Sequence, residues 1–233
     1  MNWNDTGFLL SKYKYNENSL IAEFFTINHG KVPGIIFGGT SKKIKNYLEI
    51  GNKLHIDFNS KSENKIGYFK VEIDQALTPY YFDDKKKLAC ISSAMYLVRM
   101  LNPDSQKNIN IYRLLENFFI ILESKNWIKN YIFWELELFK KLGYDLEFNN
   151  LVDKKLVDDE LKYITKSRSD QKIVPNFLID KTENLEDLST LLSGLKLVGD
   201  YLEKSILKPN NLTQPISRIQ FINTLKWLFQ NFI

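Results

Sequence analysis

The fold of this chain is first visible in the stretch Lys53-Leu54-His55-Ile56-Asp57-Phe58-Asn59, where polar and apolar residues alternate. A period of two places Leu54, Ile56 and Phe58 on one face of a strand. Residues 67–74 repeat the alternation, and the polar residues 59–64 between the two runs predict a hairpin with a longer loop. Upstream, three further stretches rich in β-branched and aromatic residues predict strands at Gly7–Tyr15, Ser19–Thr26 and Lys31–Phe37.

Five short strands within about 75 residues, separated by polar turns, are typical of a small closed barrel. A five-stranded OB-type barrel fits this pattern, and OB-folds frequently bind single-stranded nucleic acid. A small sandwich or an SH3-like barrel fits the pattern nearly as well.

After Pro79 the apolar residues recur at helical spacing instead. Four helical stripes are visible: Leu114, Leu115, Phe118, Phe119 and Leu122; Tyr131, Trp134, Leu138 and Leu142; Leu188, Leu191, Leu192, Leu195, Val198 and Leu202; and Ile216, Ile219, Phe221, Leu225 and Leu228. Gly143 predicts the end of the second helix, Asn184 the N-cap of the third, and Pro215 the start of the last.

The sequence therefore predicts an α+β protein with two domains. Residues 1–80 form a small β domain, for which an OB-fold that binds DNA is one candidate, and residues 81–233 form an all-helical domain, with the boundary near Pro79–Asp84. Residues 149–180 carry charges of both signs and only short apolar pieces, and this composition predicts an irregular, metal-free excursion within the helical domain.

Composition excludes several classes of protein. A hydrophobic fraction of 44% in 233 residues excludes global disorder, and no apolar run approaches the roughly 20 residues of a membrane span. The first residues show no secretory signal, and a single cysteine favours a reducing compartment, so we expect a cytoplasmic protein. One cysteine and two histidines cannot form a four-ligand Cys/His zinc site. Phosphate-loop, dinucleotide-binding and nucleophile-elbow motifs are absent, so the sequence carries none of these familiar enzyme or cofactor signatures, and no cofactor is expected.

The positive charge is concentrated between Lys31 and Lys53, where five lysines face a single acid, Glu49. Clustered lysines attract nucleic-acid phosphates, paired glycines allow a backbone to approach a ligand, and aromatic side chains such as Phe37 and Tyr47 can stack on bases. The predicted DNA contacts are Lys31, Phe37, Ser41, Lys42, Lys43 and Lys45, with Lys31 the weakest because it begins a strand. A glycine turn with solvated lysines is the alternative.

Candidates for binding a partner protein lie in the helical part. Phe133, Trp134 and Leu138 can line an apolar groove for a peptide, although their spacing is also that of an ordinary core stripe. Arg113, on a predicted helix, can meet an acidic tail or can be ordinary paired surface charge.

Motifs along nearly the whole chain resemble the RecO family of bacterial recombination mediators and DNA repair proteins. In the first half they are Trp3-x-Asp5-x-Gly7-x-Leu9-Leu10, Asn18-Ser19-Leu20-Ile21, Phe25-Thr26-x-x-His29-Gly30-Lys31, Gly38-Gly39-x-Ser41-Lys42 and Leu48-x-x-Gly51-Asn52. In the second half they are Phe133-Trp134-Glu135-Leu136-Glu137-Leu138-x-x-x-Leu142-Gly143-Tyr144-x-Leu146, Thr190-x-x-x-Gly194, Tyr201-Leu202 and Pro215-x-Ser217-Arg218.

This resemblance implies an OB-fold followed by a helical domain and no catalysed reaction. It also implies binding of single- and double-stranded DNA, annealing of complementary strands, association with RecR, capture of the C-terminal tail of single-stranded-DNA-binding protein, and help in loading RecA. Such a protein is expected to be cytoplasmic and nucleoid-associated. Many family members carry a zinc-binding cysteine cluster after the leucine–glycine turn, but here residues 148–153 contain no cysteine.

Two other functions stay open. A protein-only adaptor would use an OB-like barrel to bind another protein, with the lysines serving only solubility. A Mg²⁺-dependent nuclease would use acids such as Asp57, Glu72 and Asp74, which would have to converge in space.

Overall fold

Five N-terminal strands close into a barrel in the computed structural model, which describes residues 1–62, 66–146, 148–157, 160–166, 171–180 and 185–231. The strands are β1 (Asn2–Lys14), β2 (Ser19–Thr26), β3 (Gly30–Phe37), β4 (Lys53–Asn59) and β5 (Gly67–Gln75). Their order around the barrel is β1-β2-β3-β5-β4, with antiparallel neighbours except for the parallel pair β3–β5. This confirms the predicted α+β class with an N-terminal OB-type barrel.

The first strand is longer than predicted, because it begins at Asn2 rather than Gly7. Its first half pairs with β4, from Asn2 opposite Asn59, and its second half pairs with β2, to Lys14 opposite Leu20. A bulge between Leu9 and Ser11 interrupts the pairing with β2. A bulge bends a strand, which lets one strand serve two neighbours in a closed barrel.

The barrel closes where Gly34 of β3 lies opposite Gly67 of β5. A β-carbon on Gly34 would lie 2.4 Å from the ring of Phe69, and one on Gly67 would lie 2.3 Å from the ring of Phe58. Both rings belong to the barrel core and lie 5.3 Å apart. Closure therefore depends on two glycines that leave room for two core phenylalanines.

Two helices cover part of the outside of the barrel: α2 (Lys85–Leu101), capped by Asp84, and α3 (Ile109–Glu123). Phe8 points outward from β1 and packs against Tyr112 and Phe119 of α3, at ring-centroid distances of 5.4 and 6.1 Å. Cys90 is buried in α2, as the apolar sequence around it predicts.

Backbone packing divides the chain into two compact units, Met1–Ile120 with Pro215–Thr224 and Ile121–Gln214 with Leu225–Ile233. The first unit extends past residue 80 because α2 and most of α3 pack on the barrel. The predicted domain boundary at residue 80 stays a prediction about folding units. None of the described helices is long and apolar enough to cross a bilayer.

The second unit contains helices and a small sheet. Its helices are α4 (Trp127–Lys141), α5 (Phe148–Leu151), α6 (Phe177–Asp180) and α7 (Leu188–Tyr201), and a π-helical turn, Leu202–Leu207, follows α7. At the end of α4, Gly143 has φ +90° and Tyr144 N–H donates to the Phe139 carbonyl at 2.9 Å, which confirms the predicted glycine stop.

Residues 149–180 are not the irregular excursion that was predicted. They include an antiparallel sheet of β6 (Val152–Val157), β7 (Glu160–Thr165) and β8 (Ile173–Val174). Val152, Ile164 and Val174 are buried, and Tyr163 donates its hydroxyl to Asp180 at 2.8 Å. The exposed charged residues Asp153, Lys154 and Lys155 of β6 hid the strand pattern in the sequence.

The helix starts also differ from the predictions. Helix α7 begins at Leu188 with Asp187 as its N-cap, whereas the predicted cap, Asn184, lies outside the described residues. Hydrogen bonds from Ser189 and Thr190 hold the pKa of the Asp187 carboxyl well below its usual range. The last helix, α8 (Ile216–Asn231), follows Pro215 as predicted.

The predicted apolar stripe of α8 is only partly buried. Phe221 and Leu225 are buried, but Ile216 and Ile219 are exposed. The side chain of Leu228 lies outside the described residues.

We expect Gly34→Ala to lower the free energy of unfolding by about 1–3 kcal/mol, because the new methyl group overlaps the Phe69 ring. Equilibrium unfolding in urea measures the change. Gly38→Asn is the control, since Gly38 has φ +68° with open space around it and asparagine tolerates that conformation. Equal stability of Gly34→Ala and the wild type would contradict the packing described at the closure.

Candidate nucleic-acid interface

The predicted basic loop forms a single-turn helix, α1 (Lys42–Lys45), between β3 and β4. Gly38 turns the chain after β3 with a positive φ, and Gly39 packs so closely that a β-carbon would lie 3.0 Å from the Ile36 carbonyl. These two glycines are structural, as the sequence indicated. They place α1 at one end of the barrel, where Ile44 packs against the barrel core.

Lys42, Lys43 and Lys45 are exposed, and none of the three ammonium groups has an ion-pair partner in the described part of the chain. Ser41, next to them, is also exposed and makes no side-chain capping bond. Unpaired lysine ammonium groups keep their full attraction for phosphate oxygens. The structure therefore keeps four of the predicted DNA contacts together on one turn.

A cleft of about 290 Å³ opens beside α1 at this end of the barrel. It is lined by Lys12, Tyr13, Lys14, Leu20, Gly39, Thr40, Lys45 and Leu48. Lys12 is occupied by the Leu48 carbonyl and by Glu49, whereas Lys14 and Lys45 are exposed. The cleft thus has an apolar floor and a cationic rim.

The two aromatic residues proposed for stacking differ in exposure. Phe37, at the end of β3, is 61% exposed, and its ring lies 5.8 Å from the ring of Tyr68 on β5. Tyr47 is partly buried and packs against the barrel core. Only Phe37 of this pair presents a ring face to a ligand.

Lys31 does not belong to this surface. Its ammonium group donates to the Arg99 carbonyl at 2.8 Å and pairs with Asp104 at 3.1 Å, and the side chain is only 12% exposed. The Arg99 carbonyl lies in the last turn of α2, where carbonyls lack intrahelical partners and a cation is favourable. Lys31 therefore joins the barrel to α2, which corrects its assignment as a DNA contact.

The stripe considered for a partner groove lies mostly in the core. Trp134 is 2% exposed and Leu138 is fully buried, so both belong to the core, as their spacing favoured. Phe133 is half-buried and packs edge-on against Phe177, with ring centroids 6.0 Å apart. Arg113 is exposed on α3 and stays a candidate for an acidic partner.

The acids considered for a nuclease alternate with cations on β4 and β5. Glu72 lies opposite His55, Asp57 lies opposite Lys70, and Asp74 lies 3.4 Å from His55. Among the described residues, no group of three His, Cys, Asp or Glu side chains is placed to hold a metal. The β6-β7-β8 region has no cysteine or histidine that could ligate zinc, because the chain's one cysteine is in α2 and both histidines are in the barrel region.

Three residues of this surface were missed from the sequence: Tyr13, Lys14 and Tyr68. Thr40 donates its hydroxyl to the Glu17 carbonyl at 3.0 Å and so ties the β1–β2 turn to the basic turn. Tyr13 and Lys14 could have been identified from the sequence, because an aromatic residue beside a lysine at the end of a predicted strand indicates an exposed binding surface. Tyr68 could not, because only the pairing of β3 with β5 brings it to Phe37.

Comparison with known proteins finds a family match in each half of the chain. The family model described as recombination protein O, N terminal, matches residues 1–75, and the model for its C terminal part matches residues 83–189. The DNA repair protein RecO of Rhodospirillum centenum is 24% identical over 237 residues, covering 96% of this chain and 94% of the relative. The DNA repair protein RecO of Wolbachia pipientis wMel is 26% identical over 234 residues, covering 92% of this chain and 96% of the relative.

We expect Lys31→Met to lower the free energy of unfolding by about 1–2 kcal/mol, because it removes a charged hydrogen bond at the end of α2. Lys43→Met is the matched control and should change stability by less than about 0.5 kcal/mol, since its side chain is exposed. Urea unfolding of both variants measures the difference. Equal stabilities would return Lys31 to the candidate DNA contacts.

We also expect EDTA to leave the midpoint of thermal unfolding unchanged, because the chain lacks the thiolates of a structural zinc site. Circular dichroism melting with and without the chelator measures this. A midpoint that falls in EDTA and recovers with Zn²⁺ would show a metal site that this donor set does not suggest.

Proposed function

Because the chain belongs to the RecO family of DNA repair proteins, we propose that it is a recombination mediator rather than an enzyme. It binds single- and double-stranded DNA without base specificity and anneals complementary strands. With RecR it helps to load RecA onto single strands coated by single-stranded-DNA-binding protein. This activity belongs in the cytoplasm, at the nucleoid.

The observation that carries the proposal is the set of unpaired lysines on α1, beside a cationic cleft at the end of an OB-type barrel. Lysines that neutralise phosphates release counterions, which gives an affinity that falls steeply with salt. Neutralisation also lowers the repulsion between two complementary strands. The same surface therefore supports both binding and annealing.

Indifference to base sequence follows from the kind of cation present. Bidentate recognition of base edges usually needs arginine, and the chain has only four arginines. Arg99 is ion-paired with Glu23, and Arg218 is buried. The lysines of α1 instead attract phosphates as point charges, so we propose that DNA is held by its backbone.

The proposed protein partners, RecR, RecA and single-stranded-DNA-binding protein, rest mainly on family membership, because fewer residues of the structure support them than support DNA binding. Arg113 on α3 is the one original candidate for the acidic tail of single-stranded-DNA-binding protein that the structure leaves exposed. We keep residues 1–80 as the proposed DNA-binding domain and residues 81–233 as the proposed helical domain.

The test compares Lys42→Glu with Lys43→Glu in one chain against the wild type, with EDTA present throughout. We expect weaker binding of single-stranded DNA and loss of annealing. The slope of log affinity against log salt should become shallower by about 1.4, for two lost phosphate contacts on a single strand. Fluorescence anisotropy at several salt concentrations measures binding, and pairing of two labelled strands measures annealing.

The matched control is Lys85→Glu with Lys196→Glu, which changes the net charge equally at two exposed lysines outside α1. This control should retain most of the affinity. Equal losses in both double variants would show that net charge, not the α1 surface, governs binding. No DNA binding by the wild type at any salt concentration would refute the mediator and favour the protein-only adaptor.

A further inference from the structure

Three aromatic side chains lie on the outer face of the barrel next to the basic turn: Tyr13, Phe37 and Tyr68, here called the aromatic strip. Tyr13 is 51% exposed, Phe37 is 61% exposed, and Tyr68 is half-buried. Exposing such large rings to water is unfavourable, because burial of apolar surface lowers the free energy. A ligand that covers the three rings would therefore gain binding free energy from removing them from water.

Strand register places the three rings on one face. Tyr13 lies opposite Ile21, Ile21 opposite Ile35, and Ile35 opposite Tyr68, so the four residues form one row across β1, β2, β3 and β5. Paired residues of neighbouring strands point to the same face, and so does Phe37, two residues after Ile35. Three strand spacings give the row a length of about 14 Å.

Positive charge flanks the strip at the Tyr13 end. Tyr13 also lines the cleft that holds Lys14 and Lys45, and Lys42 and Lys43 are exposed on the same turn as Lys45. At the Tyr68 end, Lys70 of β5 is exposed with Asp57 of β4 opposite it in register, so charges of both signs lie there. Glu23, the acid on the same face of β2, accepts hydrogen bonds from Ser11 and Arg99, so its charge is compensated.

This combination fits one occupant better than others. Single-stranded DNA offers flat base faces that stack on aromatic rings, together with phosphates that bind lysines. In a duplex the bases stack on one another, so the rings would gain little from contact with it. A protein partner with an apolar patch would have no use for the flanking lysines unless it were also acidic.

We propose that the aromatic strip binds the unpaired bases of single-stranded DNA and so discriminates single strands from duplexes, whereas the α1 lysines bind both. The inference rests on the proposed function and assigns different roles to two parts of its site, the aromatic strip and the α1 lysines. Tyr13 and Tyr68 are thereby assigned as residues that determine strand specificity.

The test measures the affinity of Tyr13→Ala, Phe37→Ala and Tyr68→Ala for a mixed-sequence single strand and for the duplex of the same length. We expect each substitution to weaken single-strand binding on the order of 10-fold and to leave duplex binding within about 2-fold. A single strand made of abasic residues is the third probe, and it should bind all proteins, including the wild type, equally weakly.

Tyr80→Ala is the matched control, because Tyr80 is an exposed tyrosine in the Thr78–Tyr81 turn, outside the strip. Tyr68→Phe should keep wild-type affinity, since it retains the ring. Thermal unfolding of every variant checks that the fold is intact.

The outcomes separate this inference from the proposed function. Strip variants that bind single strands like the wild type, while the Lys42/Lys43 variant does not, would overturn the inference and leave the mediator in place. Equal losses for single strand and duplex would overturn it as well, since the rings would then not be reading unpaired bases. A wild-type protein that binds no DNA would refute the proposed function itself, and loss of a protein partner alone would make the strip a protein-binding surface.

Discussion

The closure of the barrel between β3 and β5 is the constraint on which the rest of the N-terminal unit depends. Gly34 and Gly67 face each other there, and the space that their missing side chains leave is filled by Phe69 and Phe58 of the core. Without this parallel pairing the five strands would form an open sheet with two exposed edges. With it, Phe37 and Tyr68 meet on the outer face, only a few residues from the two glycines.

The outer face of the barrel is divided between packing and exposure. Phe8 and Phe25 are buried on the part of β1 and β2 that α2 and α3 cover. Tyr13 at the other end of β1 and Phe37 at the end of β3 are exposed near the unpaired lysines of α1. Strand β1 thus contributes both to the surface that the helices cover and to the exposed surface near α1, whereas Lys31 of β3 binds the end of α2 and lies on the covered side.

Local patterns in the sequence were enough to predict much of this structure. Alternation at Lys53–Asn59 predicted the bounds of β4, because a half-buried strand alternates whatever its neighbours are. Richness in β-branched and aromatic residues predicted the bounds of β2, Ser19–Thr26. The α1 lysines were identifiable because they are adjacent in the chain. Long-range pairing was not identifiable from the sequence, because no local pattern shows that Lys31 contacts the Arg99 carbonyl or that Tyr68 contacts Phe37. The sheet at Val152–Val174 was missed for a related reason, since short strands with charged exposed faces resemble loops when read alone.

The sheet formed by β6, β7 and β8 has a consequence for redox chemistry. Thiolate zinc clusters lose their metal when oxidants attack the sulfur ligands, and DNA damage often accompanies such oxidants. Here the corresponding region is held by buried apolar side chains and by the hydrogen bond from Tyr163 to Asp180. The chain's single thiol, Cys90, is buried in α2. The described contacts of this region use no thiolate, so oxidation of a cysteine would leave them intact.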